Sequence, residues 1–358
     1  MDQTTFNKLL AMGVRKGVSD IHLQVGYPPL FRYNGNLVEV KFQELMPSDT
    51  EELARFLLEA RGISLEEKTN EEFDISYGIE GTGRFRVNIF LQRETYAVVL
   101  RVLPHEIRNF AELNLPTVLE QISNIRRGLI LVTGATGMGK STTLAAIIDQ
   151  INRTRRSHII TIEDPIEFLF KHEKSVISQR EIGNDTLDYK TALRAAMRQD
   201  PDVIMVGELR DNVTMDICLK AAETGHLVMS SVHTTDVPKT IGRVISFFPP
   251  EEQSMVRLRL SENLMGVASL RLLINKAGTG RVPAVEIMRV TRSIQECIKH
   301  PDRIHEIKDH IEKGKSEYGM QTFDQHLVDL FKKGMISQDV ARFAASSPSE
   351  FERALTLE

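Results

Sequence analysis

The sequence predicts an α/β protein: a core of strands alternating with helices, preceded by a small α+β region and followed by helices. Three observations carry this. Between residues 117 and 290, apolar β-rich runs (GLILVTG, HIITIE, DVIMVGE, HLVMSSVH) alternate with helical stretches at 140–153, 188–199, 212–223 and 236–246. Strands that are apolar throughout, separated by helices, belong to a parallel sheet covered on both faces. Upstream, short strand-like runs punctuated by turn residues read as an antiparallel sheet, and beyond about residue 291 the strand pattern stops.

In chain order, Phe6, Leu9, Leu10 and Val14 lie at helical spacing and predict a helix over residues 3–17 that ends near Gly17. SDIHLQV, PLFRYN and LVEV follow as short strands, broken at 26–29 and by the turn pair Asn34 and Gly35. A helix over 49–60 leads to FDISYGI, GRFRVNIFLQ and YAVVLRVLP, with Gly81 and Gly83 marking a hairpin. Prolines and polar residues then mark a linker. Beyond 291, Ile294, Ile298, Ile304, Ile307 and Ile311, then Phe323, Leu327 and Leu330, have the spacing of amphipathic helices. The expected division is an amino-terminal α+β domain at 1–104, a linker at 105–116, the parallel-sheet core at 117–290 and a helical appendage at 291–358.

Composition narrows the function. The 358 residues suit two domains, and a net charge of −4 argues against a surface coated with basic residues for polynucleotide. Cys218 and Cys297 are far apart and lack metal-ligand spacing, as expected of two reduced thiols in a cytoplasmic protein. The opening MDQTTFNKLL is not a secretory signal. No apolar run approaches the ~20 residues that span a bilayer. Membrane association must then come through a partner, without direct insertion.

The sharpest signal is local. Gly134, Ala135, Thr136, Gly137, Met138, Gly139, Lys140 and Ser141, with Thr142 following, fit G-x-x-x-x-G-K-[ST]. Glycines let the backbone wrap an anion closely, so that successive N–H groups point at phosphate. Lys140 is expected to neutralise the β- and γ-phosphates of ATP, and Ser141 to hold Mg2+. An apolar strand precedes the loop, and a helix follows whose amino-terminal partial charge lies beneath the phosphates.

Hydrolysis needs a metal partner and a group to orient water. HIITIEDPIEF ends in Glu163, Asp164 and Glu167; DVIMVGELRD ends in Glu208, with Arg210 and Asp211 beyond. Ligands of an open parallel sheet sit past the carboxyl ends of its strands, where both sets can converge. Asp202 lies at the wrong end of its strand, so Glu208 is assigned to the metal or the attacking water. Either Glu163 or Glu208 can be the general base. In AETGHLVMSSVHTTD, His233 closes an apolar strand where an imidazole can register the γ-phosphate; His226, at the start of that strand, is the second histidine of the expected nucleotide-binding set.

GATGMGKST, ITIEDPIEF, DPDVIMVGELRD and ETGHLVMSSVHT, in this order, resemble the Walker A, Asp box, Walker B and His box of the secretion ATPases. More narrowly, the chain looks like the type IV pilus retraction ATPases, the PilT and PilU group. SDIHL, GRFRVNIF, QRE at 179–181 and GMQTFDQHLVDL extend the resemblance over nearly the whole chain. It implies a homo-hexameric ring of ATP-hydrolysing subunits, each with a PAS-like amino domain and a RecA-like ATPase domain. It further implies a cytoplasmic motor that acts through an inner-membrane pilus platform protein, alongside a paralogous pilus ATPase.

By position, Arg86 in GRFRVNIF and Arg101 in LRVLP match the arginines with which such amino domains complete the nucleotide site, and Arg84 is a third. Two segments depart from the pattern. Residues 293–300 read SIQECIKH where the group carries an AIRNLIRE-like segment, and the His box reads SSVHTTD. A principal retraction motor, an accessory paralogue and an assembly or secretion ATPase of the same superfamily remain open. From another class, a nucleic-acid translocase also uses RecA-like rings, but the charge balance and the lack of an aromatic-interleaved basic stripe count against it.

Overall fold

The computed structural model describes residues 1–33, 35–65, 72–103, 107–346, 348, 351–352 and 355. Asn34 of the expected turn and residues 104–106, where the expected linker begins, lie outside the described residues. The chain divides into two compact units, Met1–Glu106 with Glu167–Leu169, and Ile107–Ile166 with Phe170–Glu358.

In the first unit, Asp20–Leu23 (β1), Leu30–Tyr33 (β2), Asn36–Glu39 (β3), Phe73–Ile79 (β4), Gly83–Gln92 (β5) and Thr95–Val102 (β6) form an antiparallel sheet in the order β3-β2-β1-β6-β5-β4. Helix Gln3–Lys16 (α1) starts where Asp2 accepts from the Thr5 amide at 3.0 Å and stops at Gly17, which takes a left-handed φ of 68°. It and Pro47–Glu59 (α2) bury Phe6, Leu10, Leu53 and Leu57 against Phe85, Val87, Ile89 and Leu100 of the sheet. The register sets Arg86 opposite Arg101, Arg101 opposite Asp20, and Asp20 opposite Arg32. Directly opposed residues share a sheet face, so these four make one transverse row.

The second unit holds Gly128–Thr133 (β7), His158–Glu163 (β8), Val176–Glu181 (β9), Val203–Val206 (β10), Leu227–Val232 (β11), Leu264–Ile274 (β12) and Arg281–Arg289 (β13), ordered β13-β12-β7-β11-β10-β8-β9. All ladders are parallel except β12–β13. Helices Val118–Ser123 (α3), Lys140–Thr154 (α4), Tyr189–Ala196 (α5), Asn212–Glu223 (α6), Val237–Ser246 (α7) and Gln253–Asn263 (α8) accompany the sheet. Apolar clusters cover both faces. Leu129, Leu131 and Val267 pack with α6 and α7 on one, and Ile130, Val132 and Ala268 with α4 on the other.

Two features differ from the sequence expectation. Strands β9, β12 and β13 were not among the expected strands, and β13 makes the sheet mixed. The expected linker carries Phe110 and Leu115, both buried in the second unit's core. The helical carboxyl-terminal region is present as Arg292–Lys299 (α9), Ile307–Lys313 (α10), Lys315–Tyr318 (α11), Phe323–Lys332 (α12) and Gln338–Ala344 (α13). It docks through apolar residues: Ile294, Ile298, Ile307 and Ile311 join the core beside α7, and α12 packs Phe323 and Leu327 on Val282 and Ala284 of β13.

Candidate nucleotide site

β7 is buried at every position and delivers the glycine loop at the carboxyl edge of the sheet. Gly134 takes φ 151°, and a Cβ there would lie 2.8 Å from the Leu270 carbonyl oxygen, so a side chain needs the β12 backbone to move. Residues 135–137 are exposed at the loop tip. Gly139, at φ 90°, caps α4, so the loop runs straight into a helix whose first amides lack intrahelical partners. Lys140 Nζ donates to the carbonyls of Gly134 (2.9 Å) and Ala135 (3.1 Å), which hold the ammonium over the loop. Ser141, exposed, and Thr142, half-buried, open the helix.

The strand order β7-β11-β10-β8 sets the order of groups along this edge: loop, His233, Glu208, Glu163. His233 Nδ1 lies 3.4 Å from Lys140 Nζ, and its Nε2 lies 3.2 Å from Glu208 Oε1. The other Glu208 oxygen accepts from Arg210 at 2.9 Å. Glu163 is buried at the end of β8, where its Oε1 accepts from Thr161 Oγ1 (2.6 Å) and Gln179 Nε2 (3.3 Å). Thr161 and Gln179 are register partners on β8 and β9, so the sheet itself aims the carboxylate.

Several acids have structural duties. Asp202 accepts from the His158 amide at 2.8 Å at the amino edge of the sheet, and Asp211 and Asp236 cap α6 and α7. His226 requires a correction to the expected nucleotide-binding set. It precedes β11 beside Gly128, with Nδ1 2.9 Å from the Ala221 carbonyl oxygen. Six residues of strand, about 20 Å, separate it from the loop end. Tyr189 carried no motif, yet it opens α5 among these acids. Burial first, then the charge of Asp164, holds its phenol above the ordinary tyrosine range. A Cβ on Gly207 would lie 3.0 Å from its hydroxyl, so the glycine beside Glu208 makes room for this ring. Far from motif spacing, donor atoms of Cys297, Glu306 and His310 lie within 4.8 Å of one another, but Arg303 holds the Glu306 carboxylate through two bonds.

In the first unit, Arg101 Nε lies 3.0 Å from Asp20 Oδ1, and Arg32 Nε 3.9 Å from Asp20 Oδ2. Arg86 Nε lies 3.8 Å from Asp74, and Arg84 donates to Ser76 Oγ at 2.9 Å. The Arg86 and Arg101 side chains remain 43% and 67% exposed, so both guanidinium groups are within reach of a ligand.

Over residues 3–277 the chain matches the model of the type II/IV secretion system protein family. It is 44% identical over 347 residues to the type IV pilus retraction ATPase PilT of Pseudomonas aeruginosa, covering 96% of this chain and 99% of that one. It is 37% identical over 357 residues to the type IV pilus ATPase PilU of the same organism, covering 98% and 91%. The crystal structure of the pilus retraction motor PilT with bound ADP superposes with a TM-score of 0.86 at 44% identity, covering 97% and 98%. The family match over residues 3–277, with 44% identity to one member along 96% of the chain, places this protein in the type II/IV secretion system protein family.

Proposed function

We propose that this chain is an ATP-hydrolysing motor that powers type IV pilus retraction. The observation that carries it is the path from Lys140 through His233 to Glu208, which joins a phosphate-binding loop to a carboxylate able to act on metal or water. Likeness along the full chain to a type IV pilus retraction ATPase turns that chemistry toward pilus disassembly.

In this reading Gly134 to Thr142 cradle the triphosphate. Ser141 and Glu208 offer the oxygen donors that a small hard cation takes, and they would hold Mg2+, Glu208 directly or through water. Bound there, the metal neutralises charge on the β- and γ-phosphates. Glu163 and Glu208 are the two groups able to orient the attacking water, and His233 registers the γ-phosphate. In a homo-hexameric ring, Arg86 and Arg101 supply charge to the phosphates, whose oxygens suit planar, always-ionised guanidinium groups. The motor would work at the cytoplasmic face of the inner membrane on a pilus platform protein, with a paralogous pilus ATPase as a further partner. No helix among the described residues is long and apolar enough to cross a membrane. We assign residues 1–104 to a PAS-like amino domain and 117–290, with the helical region 291–358, to the RecA-like ATPase body.

Two experiments test this. Lys140→Ala should abolish ATP turnover while the chain stays folded; turnover within a few-fold of the parent would sink the nucleotide-site reading. Deleting the gene should leave excess surface pili and no twitching. Absence of pili would instead mark an assembly motor, and unchanged twitching an accessory paralogue.

A further inference from the structure

A polar row crosses the sheet face beneath α7. Glu286 on β13 stands opposite Ser269 on β12, which stands opposite Thr133 on β7, the residue before Gly134. All three are buried. Thr133 Oγ1 and Ser269 Oγ lie 2.8 Å apart, and Thr240 of α7 donates to Thr133 Oγ1 at 3.4 Å. Thr240 Oγ1 is also 2.7 Å from Thr234 Oγ1, next to His233. At the far end of the row, Glu286 Oε2 accepts from the Val237 amide at 2.8 Å. Val237 is the first residue of α7, and only three residues separate it from His233.

A buried carboxylate with this setting is expensive to keep. Its nearest cations are committed elsewhere. Arg271 of β12 donates to the Ala344 carbonyl at 2.8 Å and lies 3.9 Å over the Phe323 ring, and Lys308 of α10 lies 3.5 Å from Asp324. Asp236, the α7 cap, adds a like charge. Among the described residues no ion pair reaches Glu286. A glutamine or an apolar residue would cost less here, so a carboxylate at this point calls for a reason beyond packing.

We propose that Glu286 is a positioning residue for the nucleotide site: it pins the amino end of α7, and so holds the segment whose His233 joins Lys140 to Glu208. The inference rests on the ATPase reading above. The brace is proton-linked. Burial first, with Asp236 adding to it and Arg271 and Lys308 opposing, pushes the carboxyl up to about 7. Above that pH the ionised oxygen accepts strongly from the Val237 amide; below it the neutral acid accepts weakly. The brace therefore loosens as pH falls through neutrality.

The test compares Glu286→Gln and Glu286→Leu with the parent full-length chain in steady-state ATP turnover from pH 6 to pH 8, with Lys140→Ala as control. Glutamine keeps an oxygen acceptor but does not titrate. The parent-to-Gln ratio of kcat should be near one at pH 6 and rise severalfold by pH 8. Leucine, which cannot accept, should lower kcat at least about tenfold and leave the KM for ATP within threefold, because the glycine loop is untouched. A flat parent-to-Gln ratio overturns the proposal, as does a Leu variant whose KM worsens as much as its kcat falls. If the Leu variant does not fold, the Gln ratio alone decides. Turnover surviving in Lys140→Ala would instead remove the ATPase reading on which the proposal stands.

Discussion

His233 Nε2 lies 3.2 Å from Glu208 Oε1, while its Nδ1 faces the Lys140 ammonium at 3.4 Å. An ammonium only donates and a carboxylate only accepts, so the neutral ring that satisfies both carries its proton on Nε2. The imidazole relays position between the two charges as well as polarity. His233→Ala should cut turnover about 10²-fold, the scale of a lost acid-base or sensing group, while ADP binding changes little. Equal loss of binding and turnover, read by titration of labelled ADP, would place the histidine in nucleotide binding alone.

The two strand-end acids differ in how they are held, and that predicts different behaviour on substitution. Glu163 is buried and fixed by Thr161 and Gln179, whereas Glu208 pairs with His233 and Arg210. Glu163→Gln and Glu208→Gln should each lower kcat by about 10²-fold or more. Only Glu208→Gln should also raise the Mg2+ concentration needed for half-maximal turnover. If the Mg2+ requirement moves for Glu163→Gln instead, the roles assigned to the two acids are exchanged.

Asp20 sits between Arg32 and Arg101 in the transverse row of the first unit, so Arg101 is oriented by a partner that is itself buried. Arg86→Ala and Arg101→Ala should lower kcat by tenfold or more, on the order of one lost charge-stabilising donor, with nucleotide affinity within a few-fold. Wild-type rates in both variants would reduce the row to a solvated sheet face.

Glu286 on β13 and His326 on α12, packed against that strand, load the fold's stability with opposite signs. The Glu286 carboxyl is raised from 4.5 to about 7 by burial. Folding therefore takes up a proton between those values, and stability falls as pH rises through the window. His326 is lowered from 6.5 to about 4, chiefly by burial, and its Nδ1 accepts from the Val285 amide at 2.9 Å. Its contribution runs the other way: the unfolded chain binds the extra proton, so stability rises with pH across its window. Each amounts to roughly 3 kcal/mol, and the parent hides both by cancellation. Relative to the parent, Glu286→Gln should gain stability between pH 5 and pH 8, and His326→Gln should lose it. Denaturant midpoints at the two pH values check this, and parallel shifts in both variants would contradict it.

The fold was unevenly legible. Strands β7, β8, β10 and β11 announced themselves because each is a mostly apolar, β-rich run of four to six residues. β12 did not, since it begins at Leu264 directly where α8 ends at Asn263, with no turn residue between them. β13 contains Pro283, which is tolerated because an edge strand does not need every amide. Residues 105–116 looked like a linker by their polarity and by Pro104 and Pro116 at its ends, yet Phe110 and Leu115 are buried in a core whose other members lie far along the chain.

What the sequence determined by itself is the chemistry that nine contiguous residues can hold. The pattern from Gly134 to Thr142 is local, so neither partner strands nor distant residues are needed to recognise it as a phosphate-binding loop. The carboxylates at the ends of β8 and β10 were legible for the same reason, because an apolar run ending in an acid names both the strand and its edge. The tertiary structure alone decided how these groups meet. Strand order puts β11 between the loop and β10, and so makes His233 the link between Lys140 and Glu208. Strand direction sends His226, seven residues earlier, to the opposite edge. Register carries Glu286 to the Val237 amide across 49 positions of sequence. Order, direction and register are set by how apolar faces of remote segments pack together, and no local pattern of residues records them.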